Sequence, residues 1–206
     1  ITDANLNTTT LLYENLNKLA ELTKIIGPSP INSTTTMAYD SIGRLWTVTD
    51  AKGKTTTYTL DDMNRITSVM DPLGFITRYG YGATRNLLSV TDAKNQIIRY
   101  EYDERDRLKK MTDQLGRSET YFYDTSDNPM SVTDRKGQVT SFIYNSMNRI
   151  TRADYADGSY TTYAYDTIGR LTTITDSVSG TISYTYTGTG CGTGCSNVPD
   201  KIASEI

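Results

Sequence analysis

Apolar and polar residues alternate along much of this chain. Thr56-x-Tyr58-x-Leu60, Thr140-x-Phe142-x-Tyr144 and Thr161-x-Tyr163-x-Tyr165 all follow a period of two. That period predicts a strand with one aromatic face. Shorter apolar starts lie between these stretches, at Leu45, Ile66, Leu87, Leu108, Pro129, Ile150 and Leu171. Polar segments rich in Asp, Gly and Asn separate the two kinds of stretch. The pattern predicts two strands and two turns, written again and again.

The repetition has a fixed length. Segments that begin Tyr-Asp-x-x-Gly-Arg-Leu, or nearly so, start at Tyr39, Leu60, Tyr81, Tyr102, Tyr123, Tyr144, Tyr165 and Tyr186, each 21 residues after the last. A fixed period over so many copies marks a repeat architecture. An earlier copy starts at Tyr13, 26 residues before Tyr39, and the extra residues fall around Gly27-Pro28-Ser29-Pro30, read as a surface loop insertion. The expected division is therefore a divergent repeat with an insertion over 1–38, seven regular units over 39–186, and a Gly- and Cys-rich interruption leading into a further repeat over 187–206.

Position by position, the unit has mechanical content. The fifth residue is Gly43, Asn64, Arg85, Asp106, Asp127, Asn148 or Gly169. Gly, Asn and Asp tolerate a left-handed backbone, so this place needs positive φ. Arg85 breaks the rule and predicts a strained or altered turn. Pro129 cannot donate a ladder hydrogen bond and predicts a local interruption of its strand. The second turn runs from Asp50, Asp71, Asp92, Asp113, Asp134 or Asp176, with Tyr155 as the exception, and Gly53, Gly74, Asn95, Gly116, Gly137 or Gly158 follows three residues on. Asp-x-x-Gly fits a type I turn closed by a left-handed residue.

The fold class is thus all-β, with tandem hairpins in antiparallel sequence. Fourteen strands at about 4.8 Å spacing give roughly 65 Å of sheet. Open sheets rarely exceed about ten strands without curling, so a curled or spiralling sheet is expected. Closing around a cavity about 50 Å wide would need more than about thirty strands at that spacing. The chain reads as a piece of a larger wall. Ile1-Thr2-Asp3 aligns with Val48-Thr49-Asp50, so Ile1 reads as an internal start. Its edge strands would be able to pair with other copies.

Composition narrows the chemistry. There are 35 Thr and 16 Tyr among 206 residues, both of them strand formers, and no His. Without His no Ser-His-Asp triad, Cys-His pair or His-ligated metal site can form. Two Cys cannot make a four-thiolate zinc site. The net charge is −3 and the pI about 5.0, which argues against a nucleic-acid partner. No apolar run approaches the roughly 18 residues of a membrane-spanning helix.

The unit Tyr-Asp-x-x-Gly-Arg-Leu-x-x-Val-Thr-Asp-x-x-Gly-x-x-Thr-x-Tyr-x-Tyr-Asp resembles the YD repeat of the RHS family. Tyr39–Tyr58 (YDSIGRLWTVTDAKGKTTTY) and Tyr165–Asp176 (YDTIGRLTTITD) match it closely, and the likeness runs from Tyr13 to Tyr186. The family includes bacterial RHS toxins, wall-associated proteins, cocoon-forming subunits of insecticidal toxin complexes, and teneurins. The resemblance implies a spiralling β-shell that, in bacterial members, encloses a C-terminal toxin. It implies a non-enzymatic wall segment of a secreted or cell-surface protein. Its partners would be the rest of a longer parent chain and an enclosed toxin or effector. The alternative is an adhesion or carbohydrate-binding module with a glycan or cell-surface partner. RHS toxins also carry a core domain after the repeats, with self-cleaving aspartates and Asp-Pro-x-Gly motifs. Asp71-Pro72-Leu73-Gly74 looks like a fragment of one, but it stands at an ordinary second-turn position.

No catalytic, cofactor-binding or metal-ligating residue is assigned. Asp103, Glu104 and Asp106, and Asp154 and Asp157, are the densest carboxylates, and they fall in expected turns as solvated groups. The recurrent Asp residues lack the Asp-x-Asp-x-Asp clustering of a calcium loop. Arg44, Arg65, Arg107, Arg149 and Arg170 are expected to pair with turn Asp residues of neighbouring units. Cys191 and Cys195 either close a small disulfide ring, as a secreted protein would allow, or stay free thiols.

Overall fold

The structure, a computed structural model, describes residues 1–4, 6–16, 19–28, 33–187 and 201–205. The described residues contain β-strands and turns and no helix. The chain divides into two compact units, Ile1–Tyr100 and Glu101–Ile206.

The first unit holds β1 (Thr10–Leu16), β2 (Leu19–Ile26), β3 (Thr34–Tyr39), β4 (Leu45–Thr49), β5 (Thr55–Leu60), β6 (Ile66–Met70), β7 (Ile76–Tyr81), β8 (Leu87–Thr91) and the start of β9 (Ile97–Tyr102). The second holds β10 (Leu108–Thr112), β11 (Ser118–Tyr123), β12 (Pro129–Thr133), β13 (Val139–Tyr144), β14 (Ile150–Asp154), β15 (Tyr160–Tyr165), β16 (Leu171–Asp176), β17 (Gly180–Thr187) and β18 (Lys201–Glu205). Within each unit every strand pairs antiparallel with its sequence neighbour. Short turns leave no other topology, because a parallel neighbour needs a long crossover.

The register places two chemistries on two faces. Val48 stands opposite Thr56, and Tyr58 opposite Val69, whereas Thr47 faces Thr57 and Thr49 faces Thr55. One face therefore carries Val, Tyr and Leu with Thr among them, and the other carries Thr and Ser interspersed with Met70, Arg78, Phe122 and Ile143. The second unit repeats the division: Tyr121 faces Val132 and Tyr163 faces Ile174, while Ser131 faces Ser141 and Thr173 faces Ser183. Within each unit no second layer covers the Val/Tyr face among the described residues. Ala153, 2% exposed, is their one buried apolar residue, and the rings are half-buried opposite Val69, Val90, Val132 and Ile174 of the paired strands.

An irregularity recurs once per repeat. Ala38 pairs with Thr47 and Tyr39 with Leu45, which leaves Trp46 as an extra residue. Thr67, Leu88, Met130, Thr151 and Thr172 occupy the same place. A bulge bends its strand and adds twist, which supplies a local cause for the expected curl. The Thr67 and Thr151 hydroxyls donate to the Thr59 and Ile143 carbonyls across the bulge, while Trp46, Leu88 and Met130 leave large apolar groups exposed there.

Two local expectations need revision. Pro129 does not interrupt its strand. It is the first residue of β12 and pairs with Tyr123 at the bulge, where its missing N–H costs no ladder bond. Arg85 leaves the turn unaltered: its N–H donates to the Gly82 carbonyl at 3.1 Å, as in the sibling turns, and its backbone has φ of 72°. The strain half of the expectation holds, since a Cβ in this region costs about 1–2 kcal/mol. In the N-terminal insertion, the Gly27 N–H donates to the Ser33 carbonyl, and Ser29 and Pro30 lie outside the described residues. Cys191 and Cys195 also lie outside them.

Candidate functional surface

Where the motif is complete, a repeat is tied to the next through Tyr, Asp and Arg. Asp folds its own turn. The Asp61 Oδ1 accepts the N–H groups of Met63 and Arg65 at 2.9 and 3.0 Å, and Asp61 Oδ2 accepts Arg65 Nε at 2.8 Å. The Arg then reaches forward, and Arg65 Nη1 donates to the Gly82 carbonyl of the following turn. The guanidinium lies over the Tyr81 ring, 4.6 Å from its centre. The Tyr reaches back, and its hydroxyl donates to the Ile66 carbonyl at 2.9 Å. Arg107 and Tyr123 repeat the set, with Arg107 Nε on Asp103, Nη1 on the Asp124 carbonyl, and the Tyr123 hydroxyl on the Leu108 carbonyl. A cation over a half-buried ring contributes about 0.5–2 kcal/mol.

This arrangement corrects the expected Arg pairing. Arg44, Arg65, Arg107 and Arg170 pair with the Asp four residues back in their own turn. The neighbouring repeat supplies a main-chain carbonyl to Arg44, Arg65 and Arg107 instead. Arg107 also reaches a neighbouring carboxylate, Asp127, at 2.7 Å. Arg149 faces Asn145 where its siblings face Asp; its Nε is buried without a hydrogen-bond partner, while its guanidinium stays 4.4 Å over Tyr165.

The turn carboxylates are committed groups. The Arg44 N–H and guanidinium hold Asp40 below the usual carboxylate range, and those of Arg65 do the same for Asp61. The Arg107 guanidinium, followed by the turn N–H groups, lowers Asp103. Burial pushes Asp113 up, but its ion pair with Arg117 and two N–H donors outweigh burial and lower it. The Ser179 N–H and hydroxyl bring Asp176 down to about 2. Carboxylates with these partners favour the ionised form and do not act as neutral-pH proton donors.

The densest carboxylates separate accordingly. Asp103 serves the Arg107 rung and Asp106 takes the left-handed turn place, at φ of 60°. Asp154 pairs with Arg152 at 2.7 Å. Asp157 accepts the Ser159 N–H and hydroxyl, which replaces the acceptor lost where Tyr155 stands for Asp. Asp71 accepts the Leu73 and Phe75 N–H groups and Gly74 N–H bonds the Asp71 carbonyl, the same turn as its siblings. Among the described residues no three Asp, Glu, Cys or His side chains converge. No helix there is long and apolar enough to cross a membrane.

Two features escaped the sequence reading. An open cleft of about 480 Å³ in the second unit is lined by Tyr102, Arg105, Lys109, Tyr121 and Phe122 among others. Glu21 stands where other repeats have Arg. Columns counted from Tyr13 place Lys18 five residues on, as Arg44 lies five residues after Tyr39, so only the strand pairing reveals Glu21 in that place.

A model of the RHS repeat matches residues 39–69, 64–97, 86–118, 102–137 and 123–160. No curated protein matches the chain by sequence. A crystal structure of TcdB2-TccC3-Cdc42 is similar to it in fold, with TM-score 0.65 and 16% identity over 86% of this chain and 13% of that one. The TcdB2-TccC3 crystal structure gives TM-score 0.64 and 17% identity over 86% and 14%. The Photorhabdus luminescens Tc holotoxin pore gives 0.63 and 15% over 86% and 13%. The chain therefore spans a small fraction of the length of the proteins it matches.

Proposed function

The chain belongs to the RHS repeat family, and from that premise we propose that it is a non-enzymatic wall segment of a secreted or cell-surface bacterial protein. In this reading its sheet encloses or presents another segment, a toxin or effector, of a longer parent chain. One observation carries it: within each unit the sheet is a single layer whose Val/Tyr face has no covering layer among the described residues. A sheet normally buries its apolar face against another element. The enclosed segment would supply that element.

Adjacent residues on opposite faces provide the test. A photo-crosslinking amino acid at Tyr79 in the parent protein should capture another segment of the complex, and one at Arg78 should not. Capture from residue 78 alone would reverse the face assignment, and capture from neither would sink the shell reading. An adhesive, glycan-binding role would instead use the cleft with exposed Phe122, Arg105 and Lys109. It predicts a glycan-array signal that Phe122→Ala abolishes.

A further inference from the structure

The first repeat reverses the charge of the Tyr–Asp–Arg ladder. Tyr13 pairs with Leu22 and Thr23 is its bulge residue, as Tyr39 pairs with Leu45 around Trp46. Glu14 therefore stands where Asp40 stands, and Glu21, its cross-strand partner, stands where Arg44 stands. The Tyr39 hydroxyl donates to the Leu22 carbonyl at 2.9 Å, just as Tyr81 donates to Ile66. Glu21 thus takes the backbone place beside Tyr39 that Arg65 takes beside Tyr81. Burial, and then the Glu21 charge, push the Tyr39 hydroxyl up from its ordinary pKa.

This exchange has a physical cost. Glu21 is 6% exposed and neither carboxylate oxygen has a hydrogen-bond partner. A ring face is negative, so a carboxylate there gains nothing from Tyr39. Two carboxylates directly opposite on one strand pair repel, with Cβ atoms about 4.5–5.5 Å apart. A buried anion persists when it is paired or coordinates a cation.

We propose that Glu21 and Glu14 form a binding site for a hard divalent cation of the calcium class, locking the first repeat against the ring of the second. Two carboxylates match its charge, oxygen is its preferred ligand, and waters complete the shell on the exposed Glu14 side. The site is distinct from the recurrent turn Asp residues, whose oxygens are already engaged by their own turns. With two protein carboxylates the affinity falls in the weak range of about 10⁻⁴–10⁻³ M.

Terbium tests this directly, because Tyr39 lies beside the site and sensitises its emission. Terbium titrated into the whole chain should give saturable emission on tyrosine excitation, displaced by excess calcium. Glu21→Gln should abolish the saturable phase, and Glu14→Gln should weaken it. Calcium should raise the thermal midpoint of the unaltered chain and leave that of Glu21→Gln unmoved. Without cation Glu21→Gln should be at least as stable as the parent, since it removes a buried unpaired charge. Emission that persists in Glu21→Gln, or a chain whose stability ignores calcium, would overturn the site. If Glu21→Gln proves less stable without any cation, the carboxylate has a protein partner and the proposal also fails. Should that variant fail to fold, unchanged terbium affinity in Glu14→Gln would overturn it independently.

Discussion

Two rungs of the second unit differ by one atom type and teach what each part of the motif does. Asp103 and Arg107 make the full set: turn N–H bonds, an Nε–carboxylate bond, a forward bond to the Asp124 carbonyl, and a stacked ring. In the other rung Asn145 takes the place of Asp. Asn145 Oδ1 still accepts the N–H groups of Met147 and Arg149, at 3.0 and 3.1 Å, and the turn is unchanged. The stack over Tyr165 also survives. The Nε bond is lost, and with it the forward bond to the next turn that Arg107 makes. The side-chain carbonyl oxygen shapes the turn, and the carboxylate aims the guanidinium at its neighbour.

The sharpest break is at the ring. Tyr123→Ala removes a half-buried ring, its bond to the Leu108 carbonyl and the Arg107 stack together. It should cost about 3 kcal/mol in urea unfolding. Tyr123→Phe keeps ring and stack and should cost about 1 kcal/mol. If the two variants cost the same, the hydroxyl bond rather than the ring joins the repeats.

Completing the deficient rung should work in the other direction. Asn145→Asp supplies Arg149 Nε with a carboxylate and should add about 1 kcal/mol. It should also add acid sensitivity. A carboxylate whose folded pKa is depressed contributes stability above its unfolded value of about 3.9, lost as pH falls through the folded value. The parent already carries such groups in Asp40, Asp61, Asp103 and Asp166, with Asp176 at about 2. Its stability should fall from about pH 5 toward pH 2, and Asn145→Asp should fall more steeply. An unchanged acid profile would mean that the new carboxylate does not reach Arg149.

Smaller effects belong to the third kind of rung, where Gly82 and Asn86 replace Asp and Arg. Its left-handed residue is Arg85, and Arg85→Gly should gain about 0.5–1 kcal/mol by relieving the Cβ. At the bulges, Met130→Thr places a hydroxyl where Thr151 bonds across its own bulge. A gain of a few tenths of a kcal/mol, about 0.5 at most, should show as a small rise in thermal midpoint.

Legibility from sequence tracks how local each interaction is. The left-handed turn places were readable because a single residue's Cβ decides each, and six non-glycine residues share them with the glycines, five at the fifth position, Arg85 and Asn148 among them, and Asn95 in the second turn. The Arg partners were misassigned because spacing alone does not separate a partner four residues back from one in the next turn. Pro129 was misjudged because its cost depends on whether its N–H faces a ladder, and the bulge removes that demand. Glu21 is not legible from the motif because Lys18 fills the Arg column counted from Tyr13, and the strand pairing alone sets Glu21 there.

By itself the sequence determined the period, the strand type, the turn chemistry and the kinship, since each follows from residues a few places apart. Only the tertiary structure decided the rest: which face each side chain takes after a bulge, which carbonyl each Arg and Tyr reaches, and which carboxylate is left buried without a partner. Those depend on register between strands, where a shift of one residue sends every side chain to the other face.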